Sequence, residues 1–231
     1  MRAVSWNIRH AELLGLAAVA DLLRAQDADL IALQEVDRGC TRSGGDDQAR
    51  WLGEALGMSW GFARAIAWEG GDYGVALLVK PALIGGRPLR VTSFALPGGS
   101  GPGEEPRVLL GARAAGLRVF VTHLDLPQEV RVQQAEAIRA ALGGASRVLL
   151  LGDFNEPPFG PAVQRLTSLG LRDAWAESHA PERSTAPADR KQERIDLLLL
   201  GDGVGPAFVT RAIDSGASDH PLIVADLAVH T

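Results

Sequence analysis

The stretch Arg147–Asn155, with the sequence RVLLLGDFN, decides the fold class of this chain. Val148 to Leu151 are apolar at every position, which is typical of a short buried strand. This strand opens abruptly into Asp153 and Asn155, whose side chains project the same way if the extended geometry persists. The pattern predicts either a reactive carboxylate beside a polar amide or an Asx turn, and both interpretations stay open at this point.

Five further polar motifs stand at the ends of apolar runs in the same manner. They are Trp6-Asn7, Gln34-Glu35, Thr122-His123, Arg194-Ile195-Asp196 and Ser218-Asp219-His220. The six motifs together supply four carboxylates, three carboxamides and two imidazoles. That set of side chains suits a site that holds a hard divalent metal, binds a phosphate and moves a proton.

The hydrophobic periodicity predicts ten strands and four helices. The predicted strands are Ala3–Trp6, Asp29–Leu33, Val75–Val79, Arg90–Ala95, Arg107–Ala114, Leu117–Thr122, Arg147–Leu151, Ile195–Leu200, Ala207–Ala212 and Leu222–Ala228. The predicted helices are Ala11–Ala25, Gln48–Leu56, Gln128–Leu142 and Pro161–Leu169. We expect a glycine- and proline-rich loop between strands at Pro97–Pro106 and an exposed loop at His179–Lys191.

The placement of the motifs constrains the topology. Asn7, Glu35, His123 and Asp153 follow their predicted strands, whereas Asp196 precedes its own. If these side chains meet at one site, some strands must point toward it and others away. We therefore expect an α/β fold with two packed sheets that are mixed or antiparallel and helices outside them, because ligands of a purely parallel sheet gather at the carboxyl ends.

The composition sets limits on the class of protein. The chain has 231 residues, of which 46% are hydrophobic, so we expect a single domain spanning residues 1–231. The formal net charge of -5 argues against a protein that grips long nucleic acid, although a local basic patch stays open. Cys40 is the only cysteine, which excludes an intramolecular disulfide. We find no signal peptide and no membrane span, and we expect a cytoplasmic monomer.

Each candidate residue also has a structural interpretation. Glu35 can be a metal carboxylate or a surface residue that begins a loop, and Asn7 can be a neutral ligand or a turn former. His123 can donate to a phosphate oxygen or serve as a structural histidine. Asp196 needs a partner because burying an unpaired carboxylate is costly, and His220 is the candidate partner.

In this order, the six motifs resemble those of the endonuclease/exonuclease/phosphatase superfamily, the deoxyribonuclease-I-like fold. The match runs from Trp6-Asn7 to Asp219-His220. The resemblance implies a four-layer α/β sandwich and a Mg²⁺- or Mn²⁺-dependent phosphoester hydrolase. It implies that Glu35 is the principal metal carboxylate, with Asn7 and Asp219 close to the ion. By the same resemblance, Asp153 activates water, Asn155 and His123 bind phosphate, and Asp196 and His220 form an acid–histidine pair.

Gln34-Glu35-Val36-Asp37-Arg38, Arg42-Ser43-Gly44 and Asp72-Tyr73-Gly74 resemble a compact bacterial branch of the superfamily. Arg42 and Tyr73 are therefore candidate substrate contacts. The chain departs from that branch on the substrate side, where Val75, Leu197 and Ala186 replace an asparagine, a tyrosine and a phenylalanine. These departures leave the metal set intact and put the identity of the substrate in doubt.

The leading hypothesis is a phosphodiesterase that cleaves a small or broadly accepted phosphodiester by in-line attack of activated water. A DNA or RNA endo- or exonuclease is the alternative within the superfamily, but nucleic acid is not the favoured substrate. A non-catalytic module that binds a phosphorylated partner is the alternative outside enzymes. Trp60 and Trp68 lie in a mixed region, and we expect such residues to be part of the core.

Overall fold

A computed structural model describes residues 1–101, 104–144, 146–181, 183–188 and 193–229. It contains twelve strands and five α-helices within those residues. The strands are β1 (Arg2–Asn7), β2 (Leu30–Arg38), β3 (Ser59–Trp68), β4 (Gly71–Val79), β5 (Val91–Ala95), β6 (Val108–Ala114), β7 (Leu117–His123), β8 (Val148–Asp153), β9 (Arg172–Asp173), β10 (Asp196–Leu200), β11 (Ala207–Ile213) and β12 (Leu222–Leu227). The helices are α1 (Gly15–Arg24), α2 (Gln48–Leu56), α3 (Gln128–Leu142), α4 (Pro161–Thr167) and α5 (Ala174–Glu177).

The strands form two six-stranded mixed sheets, which is one of the two arrangements that the placement of the motifs left open and the one that the family resemblance implies. The first sheet has the order β11-β12-β1-β2-β4-β3, and the second has the order β5-β6-β7-β8-β10-β9. One pair in each sheet is parallel, β1 with β2 and β7 with β8, and the other pairs are antiparallel.

Alternation along the strands explains the four layers. In β8, Leu149 and Leu151 pack between the two sheets, whereas Val148 and Leu150 face α3 and α4. The first sheet packs against α1 and α2 in the same way. A strand covered on both faces is apolar at every position, which explains the run in β8. Truncation of such a residue, for example Leu150→Ala, costs about 2–5 kcal/mol of stability.

The register of the second sheet brings three motif residues side by side. His123 pairs with Asp153 in the parallel ladder of β7 and β8, and Asp196 pairs with Asp153 in the antiparallel ladder of β8 and β10. A Cβ atom at Gly152 would lie 2.1 Å from the carbonyl oxygen of Thr122, so only glycine allows this approach of β7 and β8. The ends of β7 and β8 and the start of β10 therefore lie side by side at one end of the second sheet.

The first predicted helix begins too early. The chain forms a 3₁₀ turn at Arg9–Ala11, whose three residues all have positive φ, and α1 starts only at Gly15. Leu13 and Leu14 are consequently 46% and 58% exposed, although the periodicity placed them on the apolar face. The positive φ values interrupt a helix that the sequence pattern alone extends to Ala11.

Two regions differ from what the sequence predicted, one in secondary structure and one in burial. Ser59–Trp68 forms β3, the edge strand of the first sheet, and its tryptophans Trp60 and Trp68 are partly exposed rather than core residues. Within the predicted loop His179–Lys191, the described residue Thr185 is buried, and residues 182 and 189–191 lie outside the description. The sequence also did not indicate β9 and α5. Across the described ranges, no helix combines the length and apolarity of a membrane-spanning one.

Candidate active site

A pocket of about 270 Å³ lies at the end of the strands where the motifs meet. Eight of the ten predicted site residues line it: Glu35, Arg42, Tyr73, His123, Asp153, Asn155, Asp219 and His220. The remaining two, Asn7 and Asp196, are 1% exposed and stand directly behind this lining. The fold therefore brings all the predicted site residues to one place.

The inner end of the pocket contains an acid–histidine pair. His220 Nδ1 donates to Asp196 Oδ2 at 3.0 Å, and His220 Nε2 lies 3.7 Å from Asp153 Oδ2. Thr185 fixes Asp196 from behind, because its hydroxyl accepts from the backbone N–H groups of Ile195 and Asp196, both at 2.9 Å. Thr185 was not predicted, since its function depends on a contact between distant segments.

Burial and charge set the protonation states at this end. Burial raises the pKa of Asp153 to about 6, with the charge of Asp196 adding to the effect and His220 opposing it. Burial lowers the pKa of His220, but the carboxylates of Asp196 and Asp153 outweigh it and raise this pKa to about 10. At neutral pH, His220 therefore carries a proton and Asp153 does not.

Asn7 bridges two carboxylates at the ends of different strands. Its Nδ2 atom donates to Glu35 Oε1 at 2.9 Å and to Asp153 Oδ2 at 3.2 Å. Its Oδ1 atom accepts from the backbone N–H of Arg9 at 3.1 Å. The Nδ2 atom of Asn7 therefore faces the carboxylates of the pocket. Ligation of a metal through Oδ1 requires a rotation of the side-chain amide that exchanges the positions of Nδ2 and Oδ1.

The apolar pattern placed Glu35 at the end of its strand, but the residue lies within β2. The pairing of β2 with β4 shifts between Leu33 and Val36, and Glu35 in this bulge has a φ of 56°. A bulge bends the strand and redirects a side chain, and a positive φ is uncommon for glutamate. The bulge places the carboxylate of Glu35 in the pocket.

The Asx-turn interpretation of the Asp153 motif is confirmed, and the turn also serves the pocket. Asn155 donates its backbone N–H to Asp153 Oδ1 at 2.9 Å and has a φ of 50°. Its Nδ2 atom donates to the carbonyl of Leu124 at 2.8 Å and lies 3.1 Å from His123 Nε2. The turn therefore holds the Asn155 amide beside the imidazole of His123.

Arg107 and Glu105 are pocket residues that the sequence analysis missed. Arg107 Nη1 lies 3.1 Å from His123 Nδ1 and 3.0 Å from Glu105 Oε1. Because a guanidinium has only donors, it assigns the acceptor role to Nδ1, so a neutral His123 ring carries its proton on Nε2, where Asp153 Oδ2 lies at 3.4 Å. The Asn155 Nδ2 atom beside Nε2 is itself a donor and does not accept this proton. The signal for both residues is their place at the end of the Pro97–Pro106 loop, which was interpreted only as a connection.

Two acidic groups near Arg107 show how negative the pocket is. Burial raises the pKa of Glu105, with Arg107 opposing and the charges of Glu35 and Asp125 adding. Burial and the charge of Glu35 raise the pKa of Tyr73 well above its ordinary range. Burial and the charge of Glu35 thus disfavour the ionised forms of Glu105 and Tyr73, and a cation in the pocket would oppose this effect.

Arg42 lies in the pocket lining, but most of its hydrogen-bonding capacity is already used. Its Nε and Nη2 atoms donate to the two oxygens of the buried Asp37 at 2.9 and 2.8 Å. The guanidinium also stacks on Trp68 at 5.8 Å and on Tyr73 at 5.3 Å. Arg42 therefore supports the neighbouring rings, and a substrate contact through its remaining Nη1 atom stays a prediction.

A larger groove of about 700 Å³ lies elsewhere, on the outer face of β5 and β6. Its polar lining includes Arg87, Arg90, Arg113 and Arg118, and it contains none of the predicted site residues. Size alone does not mark the reactive site here, because the smaller pocket holds the convergent acid, base and amide groups.

The family comparison agrees with this geometry. A sequence model of the Endonuclease/Exonuclease/phosphatase family matches residues 4–220. The chain belongs to this family. Members of the Endonuclease/Exonuclease/phosphatase family are phosphoester hydrolases that generally depend on a divalent metal. A comparison with curated proteins gives no significant match.

Solved structures of other proteins have the same fold as this chain. A functionally unknown conserved protein from Enterococcus faecalis V583 is 20% identical, with a TM-score of 0.75 and all of both chains covered. A family member from Bacteroides vulgatus is 18% identical, with a TM-score of 0.75 and 99% and 98% of the two chains covered. The human nocturnin catalytic domain, solved with a bound sulfate anion, is 18% identical, with a TM-score of 0.70 and 99% and 94% covered. At these identities the likeness establishes the fold alone.

The donor chemistry of the pocket fits a divalent cation. Asp153, Asp196 and His220 offer ligand atoms within 4.8 Å of one another. Asp196 Oδ1 is buried and has no hydrogen-bond partner among the residues described. The carboxylates of Glu35 and Asp219 face the same pocket, and hard cations prefer such oxygen donors.

Proposed function

We propose that the protein is a Mg²⁺- or Mn²⁺-dependent phosphodiesterase that cleaves a small or broadly accepted phosphodiester by in-line attack of water. The convergence of Asp153, the Asp196–His220 pair and the carboxylate of Glu35 in one pocket carries this proposal. The pocket volume of about 270 Å³ supports a small reacting group, since it lies near the lower end of the range for ligand sites.

Glu35 and Asp219 would hold the metal ion, with Asn7 beside it. The ion, when bound, supplies neutralisation of phosphate charge and stabilisation of the leaving oxygen. The nearest cluster of donors, Asp153, Asp196 and His220, has another role in this proposal. His220 Nδ1 donates to Asp196 Oδ2, and the raised pKa of His220 keeps its ring protonated, so in this proposal the pair supplies a cation to the phosphate and does not ligate the ion.

Asp153 would take the proton of the attacking water. Its carboxyl is buried and has a pKa of about 6, so it is ionised at neutral pH and is basic enough to accept a proton. Asn7 and Asn155 orient it through hydrogen bonds at 3.2 and 2.9 Å. A fixed carboxylate of this kind positions the water as well as activating it.

The two histidines would bind the phosphate oxygens. His220, protonated and held by Asp196, stabilises the negative charge that gathers on those oxygens in the transition state. His123 offers the Nε2 proton that Arg107 assigns to it, and the Asn155 amide stands beside it. Loss of one such donor costs about 10²–10³ in turnover.

Release of nitrophenol from bis(p-nitrophenyl) phosphate tests the proposal. We expect turnover with Mg²⁺ or Mn²⁺, none with excess chelator, and recovery when the metal is restored. Turnover that does not need a metal, or no turnover with any divalent ion, contradicts the proposal. Equal rates in the parent, Asp153→Asn and His220→Ala favour a non-catalytic binding module. Salt-sensitive binding of a DNA oligonucleotide favours the nuclease alternative.

Three further expectations stay predictions: that residues 1–231 form one domain, that the protein is a monomer, and that it is located in the cytoplasm.

A further inference from the structure

One wall of the catalytic pocket is apolar and partly open to solvent. It consists of Ile66, Trp68, Leu126 and Pro187, here called the apolar wall. Trp68 is 45% exposed and Leu126 is 51% exposed, although both lie beside a charged pocket. Apolar and aromatic side chains that line a pocket beside a few convergent polar groups are typical of ligand-binding sites.

Trp68 is held in position before any ligand binds. It is the last residue of β3, and the following turn is tied to the Thr41–Arg42 segment by several hydrogen bonds. Thr41 Oγ1 donates to the carbonyl of Glu69 at 2.6 Å, and the backbone N–H of Arg42 donates to Glu69 Oε2 at 3.1 Å. A ring fixed in this way loses little conformational freedom when a partner stacks on it.

Arg42 supports the indole of Trp68. Its guanidinium lies 5.8 Å from the ring centroid, and Asp37 fixes that guanidinium through two hydrogen bonds. Asp37 is fully buried, so the Asp37–Arg42–Trp68 stack is anchored in the first sheet.

Other exposed tryptophans lack this arrangement. Trp60 is 37% exposed, but it covers Gly53 of α2, where an added Cβ would lie 2.3 Å from its ring. Trp51 is 38% exposed on the surface of α2, and neither residue lines the pocket. Among these tryptophans, Trp68 alone combines exposure, support from an arginine paired with a buried aspartate, and a place in the pocket lining.

We infer that the apolar wall is a binding subsite for a flat aromatic group carried on one ester arm of the phosphodiester, with Trp68 as the stacking platform. This inference rests on the proposed function for the position of the phosphate. A flat ring covers an indole face without the loss of torsional freedom that a flexible alkyl chain suffers. A nucleotide, whose base is a flat ring joined to a phosphoester, has the chemistry that this subsite takes.

Inhibition constants of four phosphate monoesters test the subsite: methyl, hexyl and phenyl phosphate and thymidine 5′-monophosphate. They are measured against nitrophenol release and, independently, as binding constants by calorimetry. The proteins are the parent, Trp68→Ala, Trp68→Phe and the matched control Trp51→Ala. Circular dichroism verifies that each variant is folded.

In the parent and in Trp51→Ala, we expect the two aromatic esters to bind about tenfold or more tightly than methyl phosphate. Trp68→Ala should lose this preference while binding methyl phosphate as the parent does, and Trp68→Phe should keep most of it. Retention of the preference in Trp68→Ala, or its absence from the parent, overturns the inference. Hexyl phosphate binding as tightly as phenyl phosphate overturns it in favour of an alkyl arm.

The outcomes separate this inference from the proposed function. If the parent hydrolyses the nitrophenyl ester but does not distinguish aromatic from methyl esters, only the aromatic subsite is wrong. If the parent shows neither hydrolysis nor binding of any phosphate, both are wrong. If it binds aromatic esters through Trp68 without hydrolysing a diester, the subsite stands and the proposed reaction does not.

Discussion

The inner end and the outer rim of the pocket differ in burial and in how their charges are balanced. At the inner end, Asp153, Asp196 and His220 are almost inaccessible; burial and the charge of Asp196 raise the pKa of Asp153, and the carboxylates of Asp196 and Asp153 raise the pKa of His220. At the rim, Glu35 is half-buried, Asp219 and Trp68 are exposed, and Arg42 is balanced by Asp37. Proton transfer benefits from a dry, rigid setting, whereas ligand and metal binding need access. The difference suggests a division of labour within a single cavity.

The largest expected effect is at the inner end. Asp153→Asn keeps the size of the side chain but removes the base, so turnover of bis(p-nitrophenyl) phosphate should fall by about 10²–10⁴. Asp202→Asn, whose side chain is 72% exposed, is the matched control and should match the parent. A rate for Asp153→Asn within a few-fold of the parent would remove Asp153 from the reaction.

Removal of the charge on His220 should have the next largest effect. His220→Gln keeps a donor but loses the cation that Asp196 supports, and kcat should fall by about 10²–10³. KM should change much less, because the lost interaction belongs to the transition state. A variant that changes KM alone would place His220 in ground-state binding and weaken the contrast between the two ends.

Loss of the rim carboxylate should reduce metal affinity rather than the chemical step. Glu35→Gln should weaken Mg²⁺ activation by at least the roughly 10–100-fold that loss of an outer partner of a metal site costs. Saturating metal should restore much of the rate, measured by titrating Mg²⁺ into the assay. Glu54→Gln, on the exposed face of α2, serves as the control. An unchanged Mg²⁺ titration for Glu35→Gln would exclude Glu35 as a ligand.

The pH dependence of stability probes the inner end directly. The pKa of His220 is raised from 6.5 to about 10 in the folded chain, so the proton binds the folded state more tightly. This stabilisation is fully present below pH 6.5 and is lost as the pH rises toward 10. With chelator present, the melting temperature of the parent should therefore fall more than that of His220→Gln between pH 6.5 and 9.5. Parallel curves would contradict the raised pKa.

The smallest effect is expected for the support of the rim. Arg42→Lys keeps the positive charge but loses the bidentate hydrogen bonds to Asp37 and the stacking of the guanidinium on Trp68. We expect KM for an aromatic diester to rise about two- to fivefold with kcat unchanged. A large fall in kcat would instead indicate that Arg42 touches the reacting phosphate.

Much of the fold could be predicted because its signals are local. The apolar run before Asp153 indicated a strand covered on both faces, and the bounds of α2 and α3 followed from their periodicity and terminal glycines. β3 was missed because an edge strand with partly exposed tryptophans lacks a clean alternation. The early start of α1 was wrong because positive φ values at Arg9–Ala11 leave no signal in residue type.

The sequence predicted which polar residues gather at one pocket, but not the residues that hold them in place. Polar side chains at the ends of apolar runs identified Asp153 and His220, since strand ends place such groups rigidly. Thr185, Glu105 and Arg107 act through contacts with residues far away in sequence, and nothing in their neighbourhoods indicates those partners. Trp68 was assigned to the core because a tryptophan's exposure depends on what the rest of the chain leaves uncovered.

The sequence by itself determined the family, the mixed sheets and the set of groups that can meet, because burial patterns and strand-end polarity are encoded residue by residue. Only the tertiary structure decided how those groups are used. The strand register set Asp153 between His123 and Asp196, and a bulge turned Glu35 into the pocket. Burial then fixed the charges, because desolvation and the distances between ionisable groups exist only once the chain has folded.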